Sequence, residues 1–188
     1  TGDKIVVPAG YRYAVINRWG DPLFANSPKW KGDATDDSAA QAMQTGDNHD
    51  GMHYFPIDGS NTEGLLVTNH EYINPDYFFP ANVRVAGENW NEDWVKKSQR
   101  AQGVSVKHIR YDGQNWKTVL DSNFNRSINA LDTEMVLTGP AAGHDLLKTN
   151  ADPSGTVVFG TFGNCGNGYT LWDTYLTCEE NVTDYFGS

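Results

Sequence analysis

Within five residues, Thr177-Cys-Glu-Glu-Asn181 gathers a thiol, two carboxylates and an amide. Along a strand alternate side chains face the same way, so Cys178 and Glu180 share one face and Glu179 points to the other. At a strand end the alternation breaks, and all three can converge. A thiolate selects soft or transition metals such as iron or zinc, whereas carboxylates also accept calcium. From these residues alone, a structural cysteine beside two solvated glutamates is the plainer reading, and a Cys165–Cys178 disulfide is a third. Asn69-His70-Glu71 follows the apolar run Gly64–Thr68 and offers another donor set, as does Asn48-His49-Asp50; each is equally consistent with a solvated strand exit or a turn. His53 and His108 read as packing or surface residues. Thr138-Gly-Pro-Ala-Ala-Gly-His144, followed by Lys148, is Gly-rich but lacks the Gly-Lys-Ser/Thr ending of a P-loop. Its amides suit an anion, and a plain turn at Pro140 suits it as well. Asn125-Arg-Ser127 and Asn181-Val-Thr183 fit the glycosylation acceptor pattern, which is common by chance.

The elements that must position these residues are short strands. Apolar or alternating runs predict strands at Lys4–Val7, Arg12–Ile16, Gly64–Thr68, Thr156–Phe162 and Asp173–Cys178, with Asn164–Tyr169 as a Gly-rich connection. Val104–Tyr111 and Gln114–Leu120 read as a hairpin through a two-residue Asp112-Gly113 turn, because Asp-Gly supplies the positive φ angles of primed turns. Asp33–Asp50 lacks periodicity and reads as loop. One helix is predicted from Trp90 to about Ser98, capped by Asn89 with Glu92 completing a capping box and Trp90 and Trp94 on one face.

Composition agrees. The chain has 188 residues, a single-domain length, of which Gly, Asn and Asp make 53. Such turn formers disfavour a helical bundle. Leu, Ile, Val and Phe sum to only 38, and six Trp and nine Tyr supply the remaining apolar bulk. No apolar run approaches the roughly 20 residues of a membrane-spanning helix. A net charge of −10 argues against nucleic-acid binding by phosphate neutralisation, and it suits bound cations as well as plain solubility. Many strands joined by Gly-rich loops fit a propeller, barrel or sandwich, and no strict repeat chooses among them. The chain starts abruptly at Thr1 and stops beside its most donor-rich segment, as a piece of a longer protein would.

In order along the chain, Val7-Pro-Ala-Gly-Tyr11, Arg18-Trp-Gly-Asp-Pro-Leu23, Thr68-Asn-His-Glu-Tyr72, Gln102-Gly-Val-Ser-Val106, Thr138–His144, Asn164-Cys165 and Leu176-Thr-Cys-Glu-Glu-Asn181 resemble the PhoX family of bacterial alkaline phosphatases. The resemblance runs through almost the whole chain and implies the N-terminal part, residues 1–188, of one all-β domain. That domain is an incomplete portion of a six-bladed β-propeller with one or two short helices, completed by a segment beyond residue 188. It implies an exported, periplasmic or extracellular, calcium- and iron-dependent hydrolase of small phosphate monoesters, with no nucleic-acid or membrane partner.

On this resemblance Cys178 matches an iron ligand, Glu71 a carboxylate near calcium, and Glu179 and Glu180 the same cluster motif; Asp50 joins them as a candidate ligand. A metal-bound Cys178 is not available for a disulfide with Cys165. Asn164 and Lys148 are the candidate catalytic contacts to phosphate. Two stretches depart from the family's pattern. Thr170-Leu-Trp-Asp173 stands where Thr-Pro-Trp-Gly is usual, and Gly46-Asp-Asn-His-Asp50 replaces a Gly-Tyr-Asn-Asn-Asp-like loop. The alternative is a non-catalytic β module that binds calcium, or a glycan through its Trp and Tyr residues.

Overall fold

A computed structural model describes residues 3–80 and 90–180. Nine strands lie among them: β1 (His49–Pro56), β2 (Glu63–His70), β3 (Gly103–Tyr111), β4 (Trp116–Thr118), β5 (Arg126–Ile128), β6 (Glu134–Val136), β7 (Val157–Phe159), β8 (Asn164–Tyr169) and β9 (Tyr175–Glu179). Three helices accompany them, α1 (Ser38–Gln41), α2 (Pro75–Phe78) and α3 (Glu92–Arg100), so the expected one or two become three, of which α1 and α2 are single turns. No helix among the described residues is long and apolar enough to cross a membrane.

The principal sheet is antiparallel, in the order β1-β2-β3-β4, with β5 also on β3. β4 pairs with Ile109–Tyr111 and β5 with Val104–Val106, so the two share one edge of β3. Between them the Asn125 side chain replaces the missing ladder, accepting from His108 N and donating to the Val119 and Leu23 carbonyls. Asn125 is therefore buried and fully engaged, which removes it as a glycosylation acceptor. Two further hairpins, β6-β7 and β8-β9, complete the described sheets, and no closed sheet is formed among the described residues.

Apolar residues of β2 and β3 dictate the core. Val67, Val104 and Val106 point to one face, where Phe55, Leu65, Ile128 and Tyr175 pack against them. Burying each such side chain contributes about 1.5–3 kcal/mol. Over this face lies a cavity of about 450 Å³, bordered by Phe55, Ile128, Met135 and Tyr175. The opposite face carries Leu66, Thr68, His70, Ser105 and Lys107, all buried. A second core joins Phe78, Phe79 and Ala101 with Trp19, Ile73 and Trp94. α3 is capped by Asn91, whose side chain accepts from Trp94 N; the proposed cap Asn89 lies outside the described residues. Trp90 and Trp94 both reach Phe79, with ring centroids 5.2 and 5.5 Å away.

Several expectations change. Segments 4–7 and 12–16 lie outside the described sheets. Asn164–Tyr169 is a strand, and residues 33–50 contain α1 and the start of β1. The β3–β4 turn has four residues, since Tyr111 pairs with Trp116. The Asp112 carboxylate accepts from the Gln114 and Asn115 amides and so stabilises the longer loop.

Candidate metal centre

Two β-bulges meet at the donor-rich end of the sheet. On β1 the register jumps from His49↔His70 to Met52↔Thr68, which sets two residues, Asp50 and Gly51, against the one residue Asn69. On β8 it jumps from Asn164↔Glu179 to Asn167↔Thr177, which sets Cys165 and Gly166 against Cys178. A bulge re-aims the side chain it carries, and such irregularities gather next to active sites. The third contributor is Glu71, one residue past β2, whose amide donates to Asn48 O at 3.0 Å and so draws it beside Asp50. One donor atom each from Asp50, Glu71 and Cys165 lie within 4.8 Å of one another.

Charge crowding marks the group. Burial, then the Asp50 and Glu180 carboxylates, push the Glu71 carboxyl above its usual range. The Cys165 thiol hydrogen-bonds to Asp50 first and Glu180 second, and is pushed up to about 12. Burial, followed by the charge of Asp50, likewise raises the Tyr175 phenol to about 12. Without a cation, then, the thiol holds its proton between two acids. A cation would relieve the repulsion and draw off the proton, and a carboxylate–carboxylate–thiolate set suits a transition metal such as iron. The residues present fit the group that the sequence resemblance implies.

The structure distributes the sequence-derived candidates unequally. Asp50, Glu71 and Glu180 face this centre. The thiol within 4.8 Å of Asp50 and Glu71 is that of Cys165, and Cys178 lies exposed on β9 opposite the Cys165-Gly166 bulge; both cysteines are free, so there is no disulfide. Glu179 points away and accepts from Thr161 Oγ1 at 2.8 Å. Asn164 is fully buried and exchanges hydrogen bonds with Thr161 while donating to Thr177. Lys148 pairs at 2.7 Å with Asp145 on the surface. In the Asn69-His70-Glu71 run only Glu71 is at the centre: Asn69 and His70 lie buried inside β2, with His70 Nε2 2.8 Å from Ser105 Oγ. His49 Nε2 is 3.0 Å from Gly46 O and its ring packs on that of His70. Cys165 followed by Gly, like Asp50 followed by Gly, is the signal that could have marked both bulges.

Fold and centre together define a mainly β chain of antiparallel sheets that converges carboxylates and one thiol at paired bulges. A family model for alkaline phosphatase PhoX matches residues 1–188, and the chain belongs to that family. Among solved structures it is similar to Pseudomonas fluorescens PhoX in complex with vanadate, a transition state analogue. That similarity has 42% sequence identity and a TM-score of 0.89, covering 97% of this chain and 31% of that one. This chain thus spans about a third of that relative's length. No curated protein matches it.

Proposed function

We propose that this chain forms the N-terminal part of an exported, metal-dependent alkaline phosphatase hydrolysing small phosphate monoesters, with its β-sheets serving as blades of a propeller. The observation that carries the reading is the convergence of Asp50, Glu71 and Cys165 in a chain matched along its whole length by the PhoX family. Asp50, Glu71, Glu179 and Glu180 would hold cations through oxygen, with calcium taking oxygen donors, and Cys178 of the family motif would hold iron through sulfur, with Cys165 as the second thiol beside Asp50 and Glu71. When bound, such ions supply the positive charge that the non-bridging oxygens of a phosphate ester require as the P–O bond breaks. The chain's own residues prepare for this. Asp50 and Glu180 accept the Cys165 thiol proton, the bulges fix donor spacing, and Thr161, Asn164 and Thr177 hold the β8-β9 hairpin in register. Export rests on the family resemblance.

Parallel Cys165→Ser and Cys178→Ser substitutions in the complete protein test the assignment, with iron and calcium content and p-nitrophenyl phosphate turnover measured with and without chelator. Serine is a harder, poorer iron donor, so Cys178→Ser loses most iron and turnover while Cys165→Ser keeps both. The reverse pattern would move the thiolate to Cys165. Calcium binding without any turnover would favour the non-catalytic module.

A further inference from the structure

The gap between β4 and β5 on the edge of β3 carries a serine, a histidine and a glutamate in one hydrogen-bonded line. Ser122 Oγ lies 2.9 Å from His108 Nδ1, and His108 Nε2 lies 2.9 Å from Glu63 Oε1. Arg110 donates to the same Glu63 oxygen through Nη2. His108 is 7% exposed, and its backbone is fixed by the Asn125 side chain, which accepts from His108 N at 2.7 Å. Ser122 is half-buried in the connection from β4 to β5. Beside it the Phe124 ring stands 6.0 Å from the His108 ring, centroid to centroid, with about half of the residue open to solvent.

The donor and acceptor roles in this line are forced. An ionised carboxylate only accepts, and the Arg110 guanidinium above all holds the Glu63 carboxyl below its usual range. A neutral His108 therefore donates through Nε2–H, which leaves Nδ1 as an acceptor. Nδ1 then takes the Ser122 hydroxyl proton in a hydrogen bond, while the same oxygen accepts from Phe124 N at 3.2 Å. This is the tautomer that a general base needs in order to withdraw a serine proton. Compared with the usual triad the two ring nitrogens are exchanged; either serves as the base when the other carries the proton, and such a line is recognised by geometry and roles. The amide of Asn123, directly after the serine, is exposed and donates to no acceptor among the described residues, so it is free to meet an oxyanion. Glu63 opens β2 and Glu71 follows its end, which separates this line from the metal centre by roughly 25 Å of strand.

We propose that Ser122, His108 and Glu63 form a second hydrolytic site, one that cleaves small carboxylic esters through an acyl-serine. Ser122 Oγ attacks the acyl carbon as its proton passes to His108 Nδ1, and Glu63 stabilises the imidazolium. The acyl C–O bond then breaks, and that proton leaves with the alcohol. Water attacks the acyl-serine and gives a proton to His108 Nδ1; this proton returns to Ser122 Oγ as the acid departs. Ester and water become acid and alcohol, with Phe124 offering an apolar surface to the acyl chain.

The test uses the complete protein with p-nitrophenyl butyrate and a fluorophosphonate probe, which loses fluoride as a serine oxygen bonds its phosphorus. The probe labels Ser122, located by peptide mass spectrometry. Ser122→Ala and Glu63→Gln each lower butyrate hydrolysis about 100-fold or more, the second because an amide facing His108 favours the wrong tautomer. Turnover of p-nitrophenyl phosphate stays unchanged in both, which also reports that the variants fold. Butyrate hydrolysis that survives Ser122→Ala comes from elsewhere and overturns the proposal, as does hydrolysis that survives Glu63→Gln. Should both variants fail to fold, labelling of the unaltered protein decides. A label on Ser122 that excess p-nitrophenyl butyrate prevents supports the site, and the absence of label there overturns it.

Discussion

Gly51 has room for a hydrogen and nothing larger: a Cβ there would lie 2.7 Å from both Cys165 O and Asn167 Oδ1. The closeness of two backbones at this point is what lets Asp50 reach Cys165. Gly51→Ala should therefore destabilise the chain by about 1–3 kcal/mol through overpacking. It should also lower iron content, because the β1 bulge must retreat from β8. Thermal melting and elemental analysis of the complete protein check both, and unchanged metal content would show that the bulges need not touch. Asp173 illustrates the opposite tolerance. It occupies the place where the family usually has Gly, and it keeps a left-handed backbone with φ of 62°. Asp is among the few side chains that accept that region, so this departure leaves the β8-β9 turn intact. That Asp50, Glu71 and Glu180 belong together was legible only through the family resemblance, since solvated carboxylates at strand ends are common. That Cys165 stands beside Asp50 and Glu71 was not legible, because its orientation depends on a one-residue register slip that leaves no mark on alternating hydrophobicity.

At the scale of elements, two buried lysines govern how the supporting layer responds to pH. Lys97 of α3 donates 3.0 Å hydrogen bonds to the carbonyls of Ala34 and Phe78, and its ammonium lies over the Phe78 ring at 4.7 Å from the centroid. Lys107 of β3 donates to Asn17 Oδ1 at 2.5 Å on the polar face of the main sheet. Burial is the leading cause that lowers each to about 8, from an ordinary value of 10.5. Between these limits the unfolded chain binds more protons than the folded one, so stability rises with pH from about 8 upward. Each lysine accounts for roughly 3 kcal/mol over the full interval. Tyr175, raised to about 12, works in the other direction above pH 10, where the unfolded phenol ionises first. Chelator-treated protein should therefore melt higher at pH 9.5 than at pH 7.5, and Lys97→Met should flatten that rise. A melting temperature that falls steadily across this interval would contradict the assignment. The helix holding Lys97 was legible from its capping-box pattern and Trp spacing, although it starts at Glu92 and is capped by Asn91. The burial of its lysine was not, since isolated helices leave lysines in solvent.

For the whole molecule, apolar surface marks where more protein belongs. Tyr11, Tyr13 and Val15 are 74%, 54% and 64% exposed, on a segment outside the described sheets. The cavity of about 450 Å³ over the Val67–Val106 face is likewise lined by apolar side chains. An unpaired run with exposed apolar residues invites pairing with another strand. Produced alone, residues 1–188 should associate in a concentration-dependent way by light scattering, while the complete protein stays monodisperse at the same concentration. Tyr13→Lys should reduce the association. Equal scattering from both forms at every concentration would mean that this edge is inert.

The sequence by itself determined the mainly β class of structure and the family. Turn-forming Gly, Asn and Asp, short apolar runs and ordered motifs are local properties, and local properties survive in a linear reading. It also marked the end of β2 and the β8-β9 region as donor-rich. Only the tertiary structure decided that Cys165 stands beside Asp50 and Glu71, that Asn69, Asn125 and Asn164 are buried connectors, and that Lys148 pairs with Asp145. The physical reason is common to all three. An amide, a thiol or an ammonium takes its role from the partner that burial forces on it, and that partner lies up to 108 residues away along the chain.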